Sequence, residues 1–112
     1  MIQSPLFAPE SGWSIPDVFP QFSETETIAV DLETYDPHLM TCGPGWATGR
    51  GHIVGIGIAT KGWKGYFPIR HAGGGNLDED IVLRWLRNTL ASEKRDVIFH
   101  NALYDVGWLR RE

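Results

Sequence analysis

Four short apolar runs along the chain have the composition of β-strands. They are Ile28 to Val30 in "ETIAVDLETYD", then "HIVGIGIAT", "KGWKGYFPIR" and "DVIFH", and their β-branched and aromatic residues favour strands. Lys61 to Lys64 fits a tight turn, so the second and third strands are expected to form a hairpin. The glycines inside "HIVGIGIAT" predict either a close approach of another group to the backbone or a bulge.

Two further segments show the hydrophobic period of an α-helix. In "NLDEDIVLRWLRNTLAS" the apolar stripe consists of Ile81, Val82, Trp85, Leu86 and Leu90. Asn76 is expected to cap this helix, with Glu79 at the capping-box position. A second helix is predicted for "ALYDVGWLRR", with Asn101 at its start.

The order of these elements predicts an α/β fold with a mixed sheet. The first three strands are expected to be antiparallel, and the helix after them is long enough to cross over to a fourth strand parallel to the first. If these two parallel strands are neighbours, their carboxyl ends lie at one edge of the sheet, where open α/β sheets place their sites. Residues 26–112 would form this domain.

The remaining segments are predicted to be irregular. Residues 1–25 contain prolines and scattered aromatic rings, which predicts an extended arm that leans on the domain through those rings. The segment "MTCGPGWATGRG" is expected to be a loop, because glycine and proline occur in it too often for a regular element.

Charge and composition restrict the classes of function. The formal net charge is −4, and the first 49 residues contain seven acidic and no basic side chains. A basic face typical of nucleic-acid binders is missing, so a nucleic-acid partner would need a site that recruits cations. We expect no membrane span, since no apolar run approaches the ~18 residues that one needs, and no secretory signal. The single cysteine, Cys42, fits a reducing compartment.

Three carboxylates are candidates for a metal site. Asp31 and Glu33 are two residues apart after an apolar run, so on a strand both side chains point to the same face. Asp105 follows the fourth strand, whose end is expected beside Asp31. Like charges this close repel unless a cation lies between them, and hard oxygen ligands suit Mg²⁺ or Mn²⁺. Two simpler interpretations stay open: Asn101 as a helix cap and Asp105 as an acid at a helix N-terminus.

These motifs carry a resemblance to a known family. "VDLET" and "HNALYD" resemble the first and second motifs of DEDD-type 3′–5′ exonucleases, which have an RNase H-like fold. Between them, "GYFPIRHAGGGNLD" is similar to a stretch in the proofreading domain of bacterial and phage family A DNA polymerases. The resemblance covers about residues 26 to 111.

The resemblance implies a set of catalytic roles. Asp31 would bridge two metal ions, Mg²⁺ or Mn²⁺, while Glu33 would complete the ion that activates the attacking water and Asp105 would hold the other. The reaction implied is two-metal hydrolysis of the 3′-terminal phosphodiester, with release of nucleoside monophosphates.

The resemblance also implies residues that contact the substrate. Thr34 would contact the 3′-terminal nucleotide, Asn101 would orient the site and that nucleotide, and Leu39 would supply an apolar contact beside the terminal base. The partner would be a single-stranded or frayed DNA 3′ end, together with the remainder of a polymerase chain, in the cytoplasm of a bacterial or phage-infected cell.

One departure from the family limits what this chain is expected to do. The third motif, a Tyr or His followed four residues later by Asp, is missing, so we expect a C-terminally truncated domain with at most weak metal binding and little or no nuclease activity alone. Two alternatives remain: an RNase D-like exoribonuclease, and a non-catalytic RNase H-like module that binds nucleic acid or protein. An unpaired sheet edge would also favour self-association.

Overall fold

The computed structural model of the protein describes residues 15–16 and 18–112. Eight elements follow one another along this part of the chain, and four of them are strands. They are β1 (Ile28–Tyr35), α1 (Leu39–Cys42), α2 (Gly45–Thr48), β2 (His52–Thr60), β3 (Trp63–Pro68), α3 (Glu79–Leu90), β4 (Val97–Phe99) and α4 (Ala102–Arg111).

The four strands form one mixed sheet in the order β3-β2-β1-β4. β2 is antiparallel to both β1 and β3, and only Lys61 and Gly62 separate β2 from β3, as expected for a hairpin. β4 is parallel to β1, in the register that pairs Ile28 with Val97 and Val30 with Phe99. The α/β fold class and the predicted arrangement of the sheet are therefore confirmed.

The hydrophobic core lies between the sheet and the two long helices. Its buried side chains come from β1, β2, the end of β3 and the residue that follows it, α3 and α4: Ile28, Val30, Ile53, Ile56, Ile58, Phe67, Ile69, Val82, Leu86 and Trp108. These large apolar side chains supply most of the free energy of folding. No helix of the described residues is long and apolar enough to cross a membrane.

Aromatic rings extend the core toward the N-terminal segment. The Trp85 ring of α3 lies 4.8 Å from the Phe67 ring, and Phe19 stacks on Phe67 at 5.7 Å between ring centroids. Phe22 contacts the ring of Trp63. Phe19 and Phe22 of the predicted arm thus pack on the domain, and its other two rings, those of Phe7 and Trp13, lie outside the described residues.

The start of α3 differs from the prediction. Asp78, not Asn76, is the N-cap: its Oδ1 accepts hydrogen bonds from the N–H groups of the second and third helical residues, at 3.0 and 3.2 Å. Leu77 is still attached to the sheet through a bond from its N–H to the carbonyl of Pro68 (2.8 Å), so the helix begins only beyond it. Glu79 is the first helical residue and pairs with Arg70 at 2.7 Å, instead of closing a capping box.

The apolar stripe of α3 is also narrower than predicted. Val82 and Leu86 are buried, and Trp85 and Leu90 are partly buried against the core. Ile81 remains 49% exposed, so the prediction that it belongs to the buried stripe is wrong. It is one residue before Val82, and the helical period turns it toward the solvent side.

The segment predicted to be a loop contains α1 and α2, each one turn long. Gly43 and Gly49 follow these turns with φ values of 87° and 78°, a conformation that glycine adopts at little cost. Pro44 is the N-cap of α2. The glycines and proline therefore delimit helical turns, which a count of helix-breaking residues could not show.

Two strands lie at the edges of the described sheet. β4 has three residues, and its central side chain, Ile98, is 58% exposed. Such a short edge offers few free backbone groups to another chain. Self-association through it stays a prediction.

Candidate functional site

Asp31 and Glu33 lie in residues 31–35 of β1, the part beyond its pairing with β4, which we call the second half of the strand. They alternate with Val30 and Leu32, so both carboxylates point away from the face that packs on the core. The parallel pairing of β1 with β4 ends at Val30, and Asp31 is the first residue beyond it. Both acidic side chains are partly exposed at this edge of the sheet.

Glycines on β2 lie beside these carboxylates. Asp31 pairs with Gly57, and Glu33 pairs with Gly55. A side chain at Gly55 would collide with the ring of Tyr66, which passes over this position from β3. The close approach predicted from the glycines of β2 is therefore confirmed at Gly55.

The β1–β2 ladder is irregular next to the acidic pair. The register shifts between Glu33, which pairs with Gly55, and Thr34, which pairs with Ile53. Bulges of this kind twist a strand locally and redirect the side chains beside them. The extra residue in this irregularity is Val54 of β2, opposite Glu33 and Thr34, two of the predicted site residues.

Asp105 lies in the first turn of α4 and is only 3% exposed. Its Oδ2 accepts a hydrogen bond from the backbone N–H of Asn101 at 3.3 Å. Asn101 is the N-cap residue of α4, as predicted, but its side chain makes no capping hydrogen bond and is exposed. The hydrogen bond at the start of α4 is therefore made by the carboxylate of Asp105. The side-chain amide of Asn101 does not act as a cap.

The carboxyl groups affect one another through Asp31. Burial raises the pKa of Glu33, and the charge of Asp31 raises it further. Burial also raises the pKa of Asp105, and Asp31 adds to that effect, while the Asn101 N–H and His100 oppose it. The pKa values of Glu33 and Asp105 are both raised because each carboxyl group is partly removed from water and lies near the negative charge of Asp31, which makes ionisation unfavourable.

No set of three or more His, Cys, Asp and Glu side chains among the described residues is arranged so that it could hold a metal ion. The carboxyl groups form two electrostatic pairs, Asp31 with Glu33 and Asp31 with Asp105. Their chemistry suits a hard divalent cation, because all the candidate donors are oxygen atoms. The roles of these residues as metal ligands stay predictions.

Thr34 and Leu39, two of the predicted substrate residues, follow the acidic pair along the chain. Thr34 follows Glu33 in β1, and its hydroxyl lies 3.0 Å from the hydroxyl of Tyr104. Leu39 is the first residue of α1 and is 37% exposed. Contact of either residue with a nucleotide stays a prediction.

Tyr104 and Asp36 also belong to this region, although their sequence positions predicted no role for either. The Tyr104 hydroxyl donates to Oδ2 of Asp36 at 2.7 Å, and the same oxygen accepts from the N–H of Gly45 at 3.0 Å. Burial raises the pKa of Tyr104, and Asp36 adds to this, although Thr34 opposes it. An acid three residues after Glu33 and a tyrosine beside Asp105 were the available signals.

His71 and Tyr66 form another contact that the sequence left open. The Tyr66 hydroxyl forms a hydrogen bond with Nε2 of His71. The backbone N–H and carbonyl of His71 both bond to the side chain of Asn76. Burial lowers the pKa of His71. This histidine joins the loop after β3 to the ring that passes over Gly55.

The fold and the acidic edge define a class: an α/β protein with a mixed sheet consistent with the RNase H-like arrangement. Among the proteins compared with it, the DNA-directed DNA polymerase of Pseudomonas phage M6 is 40% identical in an alignment of 115 positions that covers 96% of this chain. The chain spans 17% of the length of that polymerase. No family model matches the chain, and no solved structure matches it.

Proposed function

We propose that this chain is part of a 3′–5′ exonuclease region of a DNA polymerase. It would hydrolyse the 3′-terminal phosphodiester of a single-stranded or frayed DNA end and release nucleoside monophosphates. The observation that supports this most is the parallel pairing of β1 with β4. Because Val30 pairs with Phe99, the acidic half of β1 and the start of α4 emerge at the same edge of the sheet.

The similarity to a phage polymerase supports the same proposal independently. It extends over nearly the whole chain, so both acidic segments fall within the compared region. A proofreading activity acts on the strand that a polymerase extends, and the remainder of such a chain would deliver the DNA end. The proposed setting is the cytoplasm of a phage-infected bacterium.

The proposed cofactor is Mg²⁺ or Mn²⁺, held by Asp31, Glu33 and Asp105. Oxygen donors and mutual repulsion among these carboxyl groups fit such ions. Divalent ions bound there would polarise the phosphate and lower the pKa of a nearby water. Asp31 has the central position, since it interacts with both of the other carboxyl groups.

The chain's own residues would bind and orient the DNA end. The exposed amide of Asn101 can donate a hydrogen bond to the terminal nucleotide, and Leu39 would provide an apolar contact with its base. Thr34 would contact the same nucleotide from β1. A negatively charged domain repels DNA, so binding would depend on the cations that neutralise the carboxylates.

Titration of the chain with Mn²⁺ by calorimetry tests the acidic site. We expect saturable binding that Asp31→Ala abolishes, because both carboxylate pairs contain Asp31. Asp96→Asn removes one exposed carboxylate away from the site and should leave the binding unchanged. Absence of binding, or equal binding by wild type and Asp31→Ala, would refute the metal site.

The nature of the nucleic acid is tested separately. Fluorescence anisotropy with labelled single-stranded DNA and RNA of the same sequence, each in the presence of Mn²⁺, should show tighter binding of DNA. Tighter binding of RNA would favour an RNase D-like exoribonuclease in place of the proofreading assignment.

A second candidate is a module that binds nucleic acid without cutting it. The observation that favours it is the lack, among residues 15–16 and 18–112, of a ready set of three metal ligands. Such a module would bind single-stranded DNA equally well with Mn²⁺ and with a chelator, and Asp31→Ala would not weaken that binding. The exonuclease proposal predicts the opposite result in both measurements.

A further inference from the structure

Tyr104 connects the two segments that contain the candidate carboxylates. It precedes Asp105 on α4, and its hydroxyl lies 3.0 Å from that of Thr34, which follows Glu33 on β1. The two residues are 70 positions apart in the sequence. A direct side-chain contact therefore spans the site from one acidic segment to the other.

Asp36 sets the direction of the hydrogen bonds in this contact. Because the Tyr104 hydroxyl donates its only proton to Oδ2 of Asp36 (2.7 Å), it must accept the proton of Thr34. The same Oδ2 accepts from the N–H of Gly45 at 3.0 Å, and this fixes the carboxylate to the start of α2. The rotation of the Thr34 side chain is consequently determined by Tyr104, and that of Tyr104 by Asp36.

The C-terminal end of α4 is also attached to the start of α2. Nη1 of Arg111 donates to the carbonyl of Gly45 at 3.1 Å, and the ring of Trp46 covers Gly107 so closely that a side chain at Gly107 would collide with it. The segment after β1 is thus joined to α4 at both ends of the helix. Tyr104 is the joint nearest to the carboxylates.

We infer that Tyr104 is a positioning residue, whose hydroxyl holds Thr34 and thereby keeps the Asp31–Glu33 strand in a set position relative to Asp105. This inference rests on the proposed function, since it assumes that the three carboxylates act together. Loss of the hydroxyl would remove the joint nearest to the carboxylates and loosen their relative position, so that a divalent ion would have to order them when it binds.

The packing of the ring and the role of the hydroxyl can be separated. The Tyr104 ring meets Trp108 edge-on, with 6.2 Å between ring centroids, and phenylalanine would preserve that contact. Tyr104→Phe therefore removes the two hydrogen bonds and keeps the ring. Tyr35→Phe is the matched control. Tyr35 is the last residue of β1, next to Thr34, but its ring contacts His52 and not Trp108.

The test is calorimetric titration of the 112-residue chain with Mn²⁺. We expect Tyr104→Phe and Thr34→Val each to weaken binding about threefold to tenfold, as the loss of one or two hydrogen bonds would do. The double variant should bind no more weakly than Tyr104→Phe alone, because Tyr104→Phe already removes the contact with Thr34. Thr34→Ser keeps the hydroxyl and should bind as the wild type does.

The outcomes distinguish this inference from the proposed function. If the wild type binds Mn²⁺ through Asp31 and Tyr104→Phe binds equally well, the positioning role is refuted and the metal site stands. Additive losses in the double variant, or an equal loss in Tyr35→Phe, would also refute it. If the wild type binds no Mn²⁺, the proposed function fails and the positioning role falls with it.

Discussion

The two halves of β1 are parts of one strand with opposite properties. In the first half, Ile28 and Val30 are buried and the strand has a neighbour on each side, β2 and β4. In the second half, Asp31 and Glu33 are partly exposed and only β2 continues beside them. The boundary is the residue at which β4 ends. The candidate site therefore begins where the sheet loses a strand. The first half of β1 contributes buried side chains to the core, and the second half carries the candidate carboxylates.

The largest effect is expected from a change in the first half. Ile28→Ala should lower the free energy of unfolding by about 3 kcal/mol, because it deletes a fully buried side chain from the centre of the sheet. Urea denaturation would measure this loss.

Ile98→Ala makes the same chemical change on the neighbouring strand, where the side chain is 58% exposed, and should cost far less. We expect the folded fraction of Ile28→Ala to bind Mn²⁺ with unchanged affinity. A lower affinity would show that the two halves of β1 are not separable.

An intermediate effect is expected at the glycine opposite Glu33. Gly55→Ala would force its new methyl group against the buried ring of Tyr66, whose hydroxyl is held by His71. A loss of about 2 kcal/mol in the free energy of unfolding is expected, as for other overpacked sites. Thermal unfolding would detect it.

Gly62→Ala is the control for that substitution, since nothing lies within 4 Å of a side chain added there. This variant should unfold near the wild-type temperature. Equal effects at the two glycines would mean that the Tyr66 ring can move aside, and that the space beside Glu33 is not restricted.

The smallest expected effect is an increase in the free energy of unfolding, and it depends on pH. The pKa of Asp105 is raised, so the folded state retains the proton to higher pH than the unfolded state does. Without metal, stability is then lost as the pH rises from the ordinary carboxyl value through the raised one. Asp105→Asn should be neutral below that window and slightly stabilising above it.

Urea denaturation at several pH values, in the presence of a chelator, would measure this difference. The asparagine retains an oxygen that can accept from the Asn101 N–H, so the start of α4 should be preserved. Asp96→Asn is the control on the exposed surface and should show no such dependence. Destabilisation by Asp105→Asn at neutral pH would mean that the charge of Asp105 supports the fold.

Periodicity in the sequence predicted the sheet well, because the strands are strongly patterned. Ile28 to Val30 and "DVIFH" are short apolar runs, and the helix between them makes a parallel pairing possible. The expected neighbourhood of Asp31 and Asp105 followed from that topology alone. The pattern of apolar residues was sufficient to predict the sheet, because the burial of these residues determines where its strands lie.

Local detail was predicted less well where long-range contacts decide it. The start of α3 depends on the bond from the N–H of Leu77 to the carbonyl of Pro68, which no local pattern reveals, so the sequence predicts Asn76 as the cap in place of Asp78. The contact between Thr34 and Tyr104 joins segments 70 residues apart. A hydroxyl that matters only through a distant partner leaves no signal in its own neighbourhood.

The parallel pairing of β1 with β4 also has a consequence for the order of folding. The β2–β3 hairpin needs only the two-residue turn at Lys61 and Gly62, so it can form as soon as those residues are available. The pairing of Val30 with Phe99 requires closure of a much longer loop, which is slower and has a larger entropic cost. Partly folded chains would thus possess the hairpin before the acidic edge exists, and any activity of that edge would appear only when folding is complete.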